Sequence, residues 1–196
     1  SLFFNNFRYT MDLSKTLQTN DIIICLLPAI GYNEAVSVLT SNFSGKPVCY
    51  VTLNKTSSAV AEMCARHNVD TKNFVFVDGV TPLISEENVH KHHFHVDSIT
   101  SLVTLSSNIE QSIGGTSDCV VFDSLVNLCG SHSRIEVREF FIHLSGILRK
   151  KKYKGIFYIT GKREEDQLIG GINNLSLLVD DLSSYTDLII DVVPEE

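Results

Sequence analysis

A chain of 196 residues, 43% of them hydrophobic, is long enough to bury a substantial core. Its net charge of −7 works against nonspecific binding to nucleic acid or anionic membrane through the whole surface. No apolar run approaches the roughly 18 residues of a membrane span, and the N-terminus lacks the basic-then-apolar pattern of a secretory signal.

In chain order, residues 1–10 read as a leader or an expression remnant, ahead of one domain spanning 11–196. Asp21–Leu27 is apolar after its first residue and predicts a buried strand, followed by an amphipathic helix over Gly31–Phe43. Pro47–Leu53 is the next strand and Ser57–Asn68 the next helix. Asn73–Val77 and His93–Val96 are short strands. Ile99–Ile113 is helical, Asp118–Phe122 a strand and Ile135–Lys152 a long helix. Gly155–Thr160 is a strand, Leu168–Leu182 mostly helical, and Asp187–Val192 a final strand. Strands apolar along their whole length are buried on both faces, as in a parallel sheet sandwiched by helices. Their alternation with helices predicts a three-layer, doubly wound α/β fold with a mainly parallel sheet.

The most informative segment is Leu26-Leu27-Pro28-Ala29-Ile30-Gly31-Tyr32-Asn33, a strand running into a turn and a helix. A phosphate loop reads G-x-x-x-x-G-K-[ST]. Here Leu26 stands for the first glycine, Gly31 for the second, Tyr32 for lysine and Asn33 for the hydroxyl residue. The spacing is kept and the phosphate-binding chemistry is lost.

Four segments in order resemble the KaiC-like branch of the RecA-type ATPases, common in archaea. They are the turn Pro28–Gly31; the passage Lys46–Leu53 with a helix and Asn68-Val69-Asp70, leading into Phe74–Asp78; the strand Asp118–Phe122 with Asp123-Ser124-Leu125; and Phe140–Lys152 leading into Gly155–Thr160. The resemblance implies a RecA/P-loop NTPase-like fold with a degenerate Walker A motif, and makes Asp118–Leu125 similar to a Walker B strand. It marks Gly31, Tyr32, Asn33, Asp123 and Ser124 as vestigial nucleotide-binding positions. In active relatives the carboxylate matching Asp123 holds the Mg²⁺ of MgATP. Read from the residues alone, Asp123 is expected to cap the turn that follows it.

Three departures argue against hydrolysis. Tyr32 and Asn33 replace the lysine and hydroxyl, while Leu26 and Ile30 fill places where glycine lets backbone N–H groups close on phosphate. Asn54-Lys55-Thr56 stands where the family carries a catalytic glutamate. The family's later K-x-R element is not expected, since this sequence reaches Val193–Glu196 without it. The implied protein is a non-hydrolysing regulatory or protein-interaction module with no cofactor, no catalytic residue and no metal. Its expected partner is another protein or further copies of itself. The alternatives are an ATP/Mg binder with a remodelled loop, in which Tyr32 stacks on a base or sugar, and a DNA-repair accessory factor.

Other constellations carry less. His90-Lys91-His92-His93-Phe94-His95 is expected to be solvated, because a metal site needs several converging ligands. Arg149–Lys152 with Lys154 closes a helix, where cations oppose the dipole, and nucleic-acid binding there is a weaker expectation. Lys162-Arg163-Glu164-Glu165-Asp166 is a mixed-charge loop after a strand, and Gly170-Gly171 permits a turn. Ser124 has no G-x-S-x-G elbow, which argues against a serine hydrolase. The five cysteines show no C-x-x-C spacing, and Cys25, Cys49 and Cys119 lie in apolar runs. A reducing, cytoplasmic setting is the expectation.

Overall fold

The structure, a computed structural model, describes residues 12–80, 93–95, 101–113, 117–161, 168–169, 172–173 and 175–193. The elements are α1 (Leu13–Thr16), β1 (Ile22–Leu27), α2 (Tyr32–Ser41), β2 (Val48–Thr52), α3 (Ser57–Arg66), β3 (Phe74–Asp78) and β4 (His93–His95). They continue as α4 (Leu102–Ser112), β5 (Cys119–Asp123), a 3-10 turn (Leu125–Gly130), α5 (Arg134–Lys151) and β6 (Lys154–Thr160). The last are β7 (Leu168–Ile169), β8 (Ile172–Asn173), α6 (Leu175–Ser183) and β9 (Leu188–Asp191).

Seven strands form one sheet in the order β4-β3-β2-β5-β6-β1-β9, and every neighbouring pair is parallel. Strand side chains alternate between two cores, as the period of two requires. Ile22, Ile24 and Leu26 of β1 join Cys49, Val51, Val120, Phe122, Phe157 and Ile159 in the core beneath α4, α5 and α6. Ile23, Cys25 and Leu27 join Val48, Tyr50, Val121, Ile156 and Tyr158 in the core beneath α1, α2 and α3. Both sheet faces are covered, which explains why the strands read as continuous apolar runs. The fold class is α/β, three-layered and doubly wound, with a seven-stranded parallel sheet.

Local sequence sets the helix limits. Thr56 caps α3 by accepting from the Ala59 N–H at 3.1 Å. Ser133 and Glu136 form a reciprocal capping box at the start of α5. Gly155 is required where α5 closes on β6, because a Cβ there would lie 2.8 Å from Leu148 and 2.9 Å from Phe157.

One expectation needs correction. The stretch Leu168–Leu182 is not continuously helical: β7 and β8 form an antiparallel pair before α6 begins at Leu175. The glycines between those strands in sequence weigh against propagating a helix. The short α1 and the 3-10 turn were not anticipated, being too brief to show a periodicity. His93–His95 pairs in parallel with β3, whereas His90, Lys91, His92, Val96 and Lys162–Asp166 lie outside the described residues, as do residues 1–10. Among the described residues no helix is long and apolar enough to cross a membrane.

Candidate functional site

β1 ends at Leu27, and the chain turns through Pro28–Gly31 into α2. Gly31 is the N-cap with φ of 79°, a left-handed conformation that glycine adopts without a Cβ penalty. Because β6 and β5 lie between β1 and β2, the α2 crossover must pass over both strands. Its first residue, Tyr32, is thereby carried above the carboxyl end of β5, where Asp123 stands.

Asp123 is fully buried. Its Oδ1 accepts from the Tyr32 hydroxyl and from Asn54 Nδ2 at 3.0 Å. Its Oδ2 accepts from the Tyr50 hydroxyl at 2.9 Å. Register explains the last two contacts: Thr52 lies opposite Asp123 across the β2–β5 ladder, so Tyr50 and Asn54 flank it on the same side of the sheet. Lys55 Nζ sits 5.1 Å from the centre of the Tyr32 ring, covering its face with a cation. The Asp123–Ser124 peptide is cis.

The electrostatics follow from burial. Loss of hydration pushes the Asp123 carboxyl above its ordinary 3.8, and the hydrogen bonds from Tyr32 and Tyr50, the charge of Lys55 and the Asn54 amide pull it back only in part. The phenols of Tyr32 and Tyr50 are held well above 10 by burial first and by the Asp123 charge second. They are therefore neutral donors, and among the described residues no cation bonds the carboxylate directly.

Of the residues marked by sequence, the structure joins Tyr32 to Asp123 by a hydrogen bond, while Gly31 caps α2 and the side chains of Asn33 and Ser124 take no part in that bond. Asn33 is exposed on the first turn of α2, lining a cleft of about 290 Å³ between α2 and α3 with Lys55 and Met63. Ser124 is buried and caps the 3-10 turn, its Oγ accepting from the Val126 N–H at 3.3 Å. The expected capping role of Asp123 thus falls to its neighbour, since the hydrogen bonds seen on its carboxylate come from side chains. Capping by aspartate occurs instead at Asp78, which accepts from Ser57 N at 2.6 Å and Val80 N at 2.8 Å.

Tyr50 and Asn54 were missed from sequence. Tyr50 sits inside an apolar strand, where an aromatic reads as core, and its hydroxyl was the sole available signal. The side chains here do not suit a magnesium-bound nucleotide, because both Asp123 oxygens are engaged by protein donors. Among the described residues no group of three or more His, Cys, Asp or Glu is arranged to hold a metal ion.

Elsewhere, three cations of the basic run at the end of α5 and the start of β6 are held in ion pairs. Arg149 pairs with Asp187 at 2.8 Å, Lys151 with Glu110 at 2.9 Å and Lys154 with Asp21 at 2.7 Å. All five cysteines are buried free thiols, with burial pushing Cys25 and Cys49 up to about 12.

No protein-family model matches the chain, and no curated protein does. Among solved structures it is similar to a KaiC-like protein from the hyperthermophilic archaeon Pyrococcus horikoshii OT3. The two share 13% identity with a TM-score of 0.60, over 89% of this chain and 74% of that one. The chain therefore has a KaiC/RecA-like α/β fold.

Proposed function

We propose that this chain is a degenerate KaiC/RecA-like domain, spanning 11–196, that hydrolyses no nucleotide and serves as a regulatory or protein-interaction module. One observation carries the reading: the residue in the place of the phosphate-loop lysine, Tyr32, donates its hydroxyl to Asp123, the residue in the place of the magnesium-binding aspartate. The old catalytic pair is joined to itself. Tyr50 and Asn54 fill further acceptor positions on the same carboxylate, and Lys55 covers the tyrosine ring a base would stack on. Phosphoryl transfer relies on positioned cations and donors facing phosphate, and here the donors face inward.

In this reading Gly31, Tyr32, Asn33, Asp123 and Ser124 are vestiges, no cofactor is needed, and the working partner is a protein or further copies of the chain. The buried thiols suit a reducing, cytoplasmic setting. The paired cations on α5 and β6 weigh against a DNA-binding face there.

Titration calorimetry with MgATP, MgADP and MgGTP is the test, with no micromolar binding expected for any of them. Micromolar binding that Asp123→Ala abolishes would replace this reading with that of a nucleotide binder using a remodelled loop.

A further inference from the structure

We propose that the groove between α4 and α5 is a docking site for a basic amphipathic helix of a partner protein. The groove lies beneath the opposite face of the sheet from the Asp123 side chain, so it stands or falls apart from the closed phosphate-loop position. It encloses about 420 Å³. Its apolar surface comes from Leu102, Val103 and Phe140, and Val103 is 82% exposed. An apolar side chain left this open at the mouth of a groove lacks the neighbour that would remove it from water.

The rim is acidic. Glu110, Glu136 and Glu139 line it beside His143, and among the described residues no lysine or arginine does. Glu110 is tied to Lys151 and Glu136 to the Ser133 cap, while Glu139 has no ion pair among the described residues. The charge therefore selects a cationic occupant rather than a neutral or acidic one.

Within the groove, Ser106 is 5% exposed and its Oγ has no hydrogen-bond partner among the described residues. A buried hydroxyl left unpaired is costly, and a donor or acceptor on the occupant would satisfy it. Leu102 and Glu110 are eight positions apart on α4, a length of about 12 Å, or roughly two helical turns. That length accepts a helix presenting anchors at i, i+3 or i+4, and i+7, with lysine or arginine on its flanks.

The probe is a fluorescein-labelled, helix-stapled peptide with leucines at those positions and lysines beside them, titrated into the full chain by anisotropy. Saturable binding is expected. Val103→Lys and Glu139→Lys should each weaken it about tenfold, equivalent to about 1.4 kcal/mol. Both positions are exposed, so an unchanged melting curve would accompany the loss. Amide shifts on peptide addition should fall on α4 and α5. The proposal is overturned if saturable binding is absent, if a peptide with glutamates in place of lysines binds equally, or if the shifts map elsewhere. It is also overturned if light scattering shows a dimer that Val103→Lys dissolves, since the occupant would then be a second copy.

Discussion

Asp123 and Asp187 stand at opposite ends of the sheet and solve the problem of a carboxylate near a core in opposite ways. Asp187, just before β9, accepts from the backbone N–H groups of Asp21 at 2.7 Å and Ile22 at 2.9 Å. It also takes two guanidinium bonds from Arg149, at 3.1 and 2.8 Å. Partial burial works against ionisation, yet the guanidinium and the backbone donors hold its carboxyl below the ordinary 3.8. Asp123 is more deeply buried, takes hydrogen bonds from neutral groups, and is displaced upward. The charge is well compensated at the amino end of the sheet and poorly compensated at the carboxyl end. That is the end where open α/β sheets bind ligands, so the imbalance sits at the ligand-binding end of such sheets.

The largest test of the contrast is Tyr50→Phe. It leaves the shape of a fully buried side chain and removes the single donor seen on Asp123 Oδ2. Leaving a buried charged acceptor unmet should cost about 3 kcal/mol in chemical denaturation. A loss under roughly 0.5 kcal/mol would mean that water serves Asp123 and that the end is not closed.

A second test uses pH. The folded carboxyl of Asp187 lies below 3.8, so its stabilisation is present above that value and lost as pH falls through the lowered one. The stability lost on Asp187→Asn should therefore be greatest near neutrality and shrink in acid. The folded carboxyl of Asp123 lies above 3.8, so its favourable contribution is present below that value and declines as pH rises through the raised one. Asp123→Asn should show the reverse trend, with the parent falling relative to the variant as pH rises from 3.8. Denaturant titrations of the three proteins across this range check both signs, and parallel slopes would refute the comparison.

The smallest effect belongs to Lys55→Gln. Removing the cation over Tyr32 should cost about 0.5 kcal/mol as a half-exposed cation–π contact. It should also raise the Asp123 carboxyl further, since Lys55 is among the groups that lower it. Carbon-detected NMR titration of the side-chain carboxyl reads that shift directly.

The main strands were legible because burial on two faces forces uninterrupted apolar runs, as in Ile22–Leu27 and Cys119–Phe122. Thr56 and Ser133 mark helix starts by chemistry that acts within four residues. The short β7–β8 pair was not legible, because two-residue strands carry no period. Within the site, Tyr32 was picked out by phosphate-loop spacing, and Asp123 by the resemblance of Asp118–Leu125 to a Walker B strand. The convergence of Tyr50 and Asn54 on that carboxylate required the β2–β5 register.

Composition and pattern by themselves determined a parallel α/β fold, because hydrophobic period is a local property of the chain. Only tertiary structure decided which side chains meet at the carboxyl end of its sheet. The order β2-β5-β6-β1 sends α2 across two strands and sets Tyr32 onto Asp123, 91 positions away. That contact depends on which strands are neighbours, and strand neighbours are fixed by packing of the whole sheet rather than by any segment read alone.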